Sequence, residues 1–201
     1  MAILRRGVLI AIEGIDGAGS STQTGMLVTA LSALGYPAMA TKEPNPDGHI
    51  EATIRALLHE ERALPALDAL LFAADRVEHV ECYIKPWLQA KKIVVTDRYL
   101  ESTLAYQAAQ GLDPRWILSL NRGAAKPDLT VILDVDPAVS LQRKEAKPDR
   151  YEQSEFLAKV RANFLKRARS MGYPLLDSSK PKEEVHRQIM GAVEPILKRL
   201  V

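Results

Sequence analysis

The residues best suited to chemistry lie in "GIDGAGSST", residues 14–22. Gly14, Gly19 and Ser21 stand at the spacing of the phosphate-binding pattern G-x-x-x-x-G-K-[ST], with Ser20 where the pattern has lysine. Glycines let the backbone of such a loop (Gly14, Ile15, Asp16, Gly17, Ala18, Gly19, Ser20, Ser21 and Thr22) close on a polyphosphate. The helix that follows adds the positive end of its dipole. A hydroxyl at the Ser21 position ordinarily meets Mg2+. Losing the lysine removes one preorganised cation, a cost of ~10²–10³ in rate rather than abolition. A Gly-rich turn with no ligand has the same composition, so the loop alone does not decide.

Three further stretches bear on the question. In "IVVTDRYLESTLAYQ", Asp97 ends an apolar run, where it can hold Mg2+ through water or orient an attacking oxygen. Arg98 beside it can bridge phosphates bidentately. In "LLFAADRVEHV", Phe72 and Arg76 are four apart on one helical face, suited to stacking a base and meeting its carbonyl edge, although a core Phe beside a surface Arg gives the same pattern. In "RKEAKPDRYE", Arg143, Lys144, Lys147 and Arg150 surround a proline loop that could close over phosphates or be an exposed turn. His79 and Cys82, with Glu78 and Glu81 near, suggest half a metal site, but no second pair has metal-ligand spacing.

Positioning these residues requires strands that end at a common edge. "GVLIAIEG" (7–14), "KIVVTDRY" (92–99) and "DLTVILDVD" (128–136) are continuous apolar runs, as expected of strands buried on both faces. Shorter strands are predicted within 36–44 and at 173–177. Helices are predicted after the glycine loop, at 48–60, at 64–92 with a disturbance at Pro86, at 100–110, at 113–124, from Pro137, at 152–171, and from Pro181 to Leu200. The expected fold class is α/β: a five-stranded parallel sheet with helices on both faces. Residues 1–201 read as a single domain with a short lid at about 143–151.

Composition narrows the function class. The chain has 201 residues, 47% hydrophobic and 26% charged, with a net charge of +2 that gives no overall basic field for nucleic acid. Between Arg143 and Arg169, however, nine basic residues face four acidic ones, which suits a small polyanion. A single cysteine, Cys82, forbids an intrachain disulfide, and no uncharged run approaches the ~18 residues of a membrane span. A cytoplasmic protein that engages neither membrane nor nucleic acid is expected.

Together, "EGIDGAG.ST", "TKEP", "LLFAADR", "DRYLESTLAYQ", "KPDLTVILDVDP" and "DRYE…FLAKVRANF" resemble the thymidylate kinase family, in its order and approximate spacing, over nearly the whole chain. The resemblance implies a P-loop nucleoside-monophosphate-kinase fold, phosphorylation of dTMP to dTDP with ATP and Mg2+, and a homodimer packed through helices. It implies that Asp16 approaches the acceptor sugar, that Lys42, in place of a more usual arginine, touches the acceptor phosphate, and that Glu43 belongs to the dTMP-binding set. Phe72 would stack on thymine, Arg76 would reach its carbonyl, and Thr103 and Gln107 would lie near the base. Tyr106 would lie under the sugar. Asp97 would organise Mg2+ and the acceptor, with Ser21 as its partner for the ion, and Arg98 would bridge donor and acceptor phosphates. Arg143, Lys147 and Arg150 would form a basic lid and, before Arg98, supply the charge missing at Ser20. Two other readings stay open: a nucleotide-binding protein with little catalysis, and a kinase for another deoxynucleoside monophosphate.

Overall fold

The computed structural model describes residues 4–60, 64–143, 151 and 153–200. Five strands, β1 (Val8–Gly14), β2 (Ala38–Lys42), β3 (Ile93–Asp97), β4 (Leu129–Asp134) and β5 (Leu175–Asp177), form one sheet. Its order is β2-β3-β1-β4-β5 and every pairing is parallel. All seven residues of β1 and all five of β3 are buried, which is why both read as near-continuous apolar runs rather than alternating ones.

The two faces of the sheet have different covers. Ile10, Ile12 and Val95 pack in one cluster with Leu27 and Leu31 of α1 (Ser20–Ala33). Leu9, Ala11 and Val94 pack against Val80 and Ile84 on the other face. That second cover is a continuous rod: α3 (Pro65–His79), a π-helical turn (Val80–Ile84) and α4 (Lys85–Gln89). The predicted helix over 64–92 is therefore interrupted. Pro86 has no N–H to donate, and the wider π turn just before it absorbs the missing bond.

The remaining helices are α2 (Glu51–Leu58), α5 (Leu100–Ala109), α6 (Pro114–Leu120), α7 (Pro137–Gln142), α8 (Ser154–Met171) and α9 (Lys182–Lys198). The helices predicted over 48–60 and 113–124 and the strand over 173–177 are shorter than the sequence pattern suggested. α9 packs beside α1, and α8 lies along α5. β1 and β3 are neighbours whose following segments leave in different directions, the first into α1 and the second into α5. That divergence opens a crevice at the carboxyl ends of the strands.

Candidate functional site

The crevice has two compartments. One lies over the loop between β1 and α1 and is lined by residues 16–23 together with Asp97, Arg98 and Arg143. The other lies over α5 and is lined by Glu43, Phe72, Arg76, Thr103, Tyr106, Gln107 and Tyr151 among others. Asp16 and Arg98 line both.

The loop compartment is built from backbone. Gly17 and Gly19 have φ of 76° and 93°, a region that side-chain-bearing residues rarely adopt. At Gly17 a Cβ would lie 2.4 Å from the carbonyl oxygen of Ser140 in α7, so glycine is required on packing grounds as well. The N-cap of α1 is Gly19, which offers no side-chain acceptor to the first-turn amides. α6 and α7 differ: Asp113 and Asp136 accept from their first turns. α2, α3, α5, α8 and α9 also lack a side-chain cap, but at α1 the uncapped first turn lines the compartment, where an anion can take its amides. Ile15 and Ala18 are 2% exposed and their side chains belong to the core, while the amide of Ala18 donates to Ile15 O at 3.0 Å. Ser20 is 7% exposed, whereas Ser21 and Thr22 are exposed.

At the end of β3, the Ser21 hydroxyl donates to Asp97 Oδ2. Asp97 Oδ1 is buried and has no hydrogen-bond partner among the described residues. A buried carboxylate oxygen without a partner, beside a serine hydroxyl, is a donor set for a hard divalent cation. Among the described residues no group of three or more His, Cys, Asp or Glu could hold a metal by itself. A magnesium ion here would therefore need phosphate oxygens to complete its shell, as is usual for this ion.

Arg98 joins the compartments. Its backbone has φ 68°, uncommon for a residue with a side chain. The turn is closed by its amide donating to Ile12 O at 2.9 Å and by the Thr96 hydroxyl donating to Arg98 O at 2.7 Å. The guanidinium folds back over β1, giving Nη1 to Gly14 O at 2.7 Å and to Ser102 Oγ at 3.1 Å, and Nη2 to Asp16 Oδ1 at 2.7 Å. Burial works against this charge, but surrounding groups headed by Asp16 outweigh it and the pKa is raised. Asp16 also accepts from the Tyr106 hydroxyl at 2.9 Å and gives its own amide to the same oxygen at 3.0 Å. Burial, then the charge of Asp16, push the Tyr106 phenol well above its usual range, so it remains a donor.

The α5 compartment is built from side chains. Arg76 is 2% exposed. It gives Nε and Nη2 to Glu43 Oε2 at 2.9 and 2.6 Å, Nη2 to Thr103 Oγ1 at 2.9 Å, and Nη1 to Asn121 Oδ1 at 2.5 Å. Its Cζ lies 5.1 Å from the centroid of the Tyr99 ring. One Nη1 hydrogen remains uncommitted among the described residues, and the Thr103 hydroxyl, an acceptor in this arrangement, keeps its hydrogen to give. Gln107 is 1% exposed and its Oε1 has no partner among the described residues. Phe72 lines the same cavity, half-buried.

Most of the predicted residues therefore converge. Lys42 ends β2 in register with Asp97 of β3, half-buried, at the edge of the crevice rather than in its lining. Arg143, at the end of α7, gives Nη2 to Ser178 O at 3.0 Å and Nη1 to Gly17 O at 3.4 Å, on the rim of the loop compartment. Lys144, Lys147 and Arg150, and with them most of the predicted lid, lie outside the described residues.

Sequence reasoning missed several residues of the site. Glu13 is fully buried and accepts from the amides of Glu101 and Ser102 at 3.0 and 3.1 Å and from the Ser102 hydroxyl at 2.6 Å, which pins the start of α5 to β1. Burial raises its pKa to about 7. An acid inside an apolar strand was the available signal, because a buried charge must find partners. Tyr151 enters the α5 compartment, giving its hydroxyl to Asp68 Oδ2 at 2.7 Å, with its ring 5.6 Å from that of Tyr106. Asp75 accepts from the Asn45 amide at 3.1 and 3.0 Å, and burial raises its pKa to about 6.

Residues 12–189 match the family model described as thymidylate kinase. The chain is 42% identical over 190 residues to a probable thymidylate kinase of Pyrobaculum calidifontis, covering 93% of this chain and 96% of that protein. It is 40% identical over 203 residues to a probable thymidylate kinase of Thermococcus gammatolerans, covering 94% and 96% respectively.

Proposed function

Because the chain belongs to the thymidylate kinase family, a family of phosphotransferases, we propose that it transfers the γ-phosphoryl group of ATP to dTMP through the residues of this crevice. The observation that carries the reading is Arg98, a half-buried arginine in left-handed backbone that lines both compartments and is tied to the glycine loop and to Asp16. A cation shared by two cavities fits a reaction between two phosphates.

The acceptor base is selected by complementary groups. The α5 compartment offers two free donors, an Arg76 N–H and the Thr103 O–H, and one orphan acceptor, Gln107 Oε1. An imide edge, with two carbonyls and one N–H, has the matching set. Cytosine offers the same number of acceptors and donors in another order, with its amine at the end of the edge and an acceptor at the middle, so where Gln107 Oε1 faces the middle of the edge cytosine leaves it mispaired in a buried site, which is the costly outcome. Phe72 supplies the stacking face. Tyr106, held by Asp16, lies where the sugar would rest, and Lys42 approaches from the sheet edge toward the acceptor phosphate.

The acceptor phosphate is already ionised at neutral pH, so no strong base is needed, and the protein's contribution is placement and charge neutralisation. The glycine loop holds the donor phosphates by its amides and the opening turn of α1. Arg98 draws the two phosphates together. Ser21 and Asp97 would hold Mg2+, which neutralises phosphate charge when bound. Arg143 adds a cation at the rim, and Lys147 and Arg150, from the proposed lid at about 143–151 outside the described residues, would take up part of the charge absent from Ser20. Residues 1–201 act as one domain in this reading.

The exposed Leu67, Leu70 and Val77 lie three and seven residues apart on one side of α3, a stripe that supports a homodimer packed through this helix. Among the described residues no helix is long and apolar enough to cross a membrane, and a cytoplasmic location accords with the nucleotide substrates. A coupled assay with ATP and Mg2+ against dTMP, dUMP and dCMP tests the function. The expected result is turnover with dTMP and dUMP far above dCMP. Turnover no better than that of Asp97→Ala would overturn the reading and leave a protein that binds nucleotide without transfer.

A further inference from the structure

We infer that His79 is a positioning residue for the acceptor base, acting through Glu43 on Arg76. The inference rests on the acceptor reading above and extends it to a side chain that does not line the cavity. His79 ends α3 and is 0% exposed. Its Nδ1 lies 3.1 Å from Glu43 Oε1 and its Nε2 lies 2.7 Å from Thr41 Oγ1.

These contacts run in one direction. Glu43 already takes two guanidinium N–H groups of Arg76 on Oε2. As a carboxylate it can only accept, so Oε1 requires a donor, and Nδ1–H of His79 is that donor. Nε2 then accepts from the Thr41 hydroxyl. The chain Thr41 to His79 to Glu43 needs no extra proton and fixes one tautomer of the imidazole. It also fixes the rotation of the Glu43 carboxylate. That in turn sets the plane of the Arg76 guanidinium, whose remaining edge is held by Thr103 and Asn121. The one Arg76 hydrogen left for a ligand is aimed by this frame.

Such a buried polar chain would also serve stability alone, and the two roles separate in experiment. Asparagine at position 79 places an amide where Nδ1 stands; glutamine reaches instead toward the position of Nε2. We expect His79→Gln and His79→Ala to weaken dTMP binding by calorimetry, and to raise its KM, about tenfold. The KM for ATP and kcat stay within about twofold. His79→Asn retains most of the dTMP affinity. Thr41→Val, which removes only the hydroxyl that sets the tautomer, gives a smaller change of about threefold in dTMP alone and covers the case in which His79→Ala does not fold. Equal losses for ATP and dTMP, or an asparagine variant no better than the glutamine one, would overturn the inference. A wild-type chain that binds another nucleoside monophosphate instead of dTMP corrects the functional reading only, and the same contrast is then read with that ligand. A chain that binds no monophosphate overturns both.

Discussion

The two compartments are built by opposite means. Over the glycine loop the contacts come from backbone amides, two left-handed glycines and a helix start without a side-chain cap. Over α5 they come from a wired set of side chains in which Arg76, Glu43, Thr103 and Asn121 hold one another before any ligand arrives. A polyphosphate tail is the same on every nucleoside triphosphate, so a backbone cradle suffices for it. A base must be told from other bases, and that demands donors and acceptors fixed to within a fraction of an ångström. The difference explains why the donor side can lose the lysine of its motif and still be read as a phosphate site. Backbone amides do not depend on which side chain stands at position 20.

Arg98→Ala strikes the boundary between the two plans and has the largest expected effect, a loss of about 10³-fold in kcat/KM by steady-state kinetics. A loss confined to the KM of one substrate would show that Arg98 serves one compartment only. Ser20→Lys tests the donor side next. A gain below ~10²-fold is expected, because Arg98 and Arg143 already line the crevice. A larger gain would mean that the loop as it stands is deficient.

The smallest effect is on stability. Burial raises Glu13 beneath the loop to about 7 and Asp75 behind the acceptor pocket to about 6. The folded chain therefore keeps protons that the unfolded chain has already released, and stability falls as pH rises. The loss runs from about pH 4 to pH 7, and above pH 6 Glu13 contributes most of it. A melting temperature roughly 10 °C lower at pH 7.5 than at pH 5 is expected from calorimetry. Glu13→Gln should flatten the upper part of that slope and Asp75→Asn the lower part.

What was legible in the sequence was local. β1 and β3 announced themselves as near-continuous apolar runs, and the glycine loop, the Asp97–Arg98 pair and the Phe72–Arg76 pair are each contained within a few residues. The structure keeps the glycine loop and the Asp97–Arg98 pair at the carboxyl ends of the adjacent strands β1 and β3, and the Phe72–Arg76 pair on α3, lining the neighbouring compartment. What escaped was set by distance along the chain. Glu13 meets Ser102 across 89 residues, Tyr151 meets Asp68 across 83, and Arg76 meets Asn121 across 45. No periodicity or motif encodes such a partner. In the sequence His79 reads only as half a metal site, because its neighbours there are acids and a cysteine, whereas its neighbours in space are Glu43 and Thr41.

The sequence by itself determined the fold class, the family and the kind of ligand, since strand burial, turn geometry and backbone anion binding depend on short runs of residues. Only the tertiary structure decided which hydrogens of Arg76 are left for a base, which oxygen of Asp97 is left for a cation, and that Arg98 lies between two cavities. Those outcomes depend on which donors and acceptors satisfy one another when distant segments pack. A buried polar group reveals what it can still bind only after its protein partners have been counted.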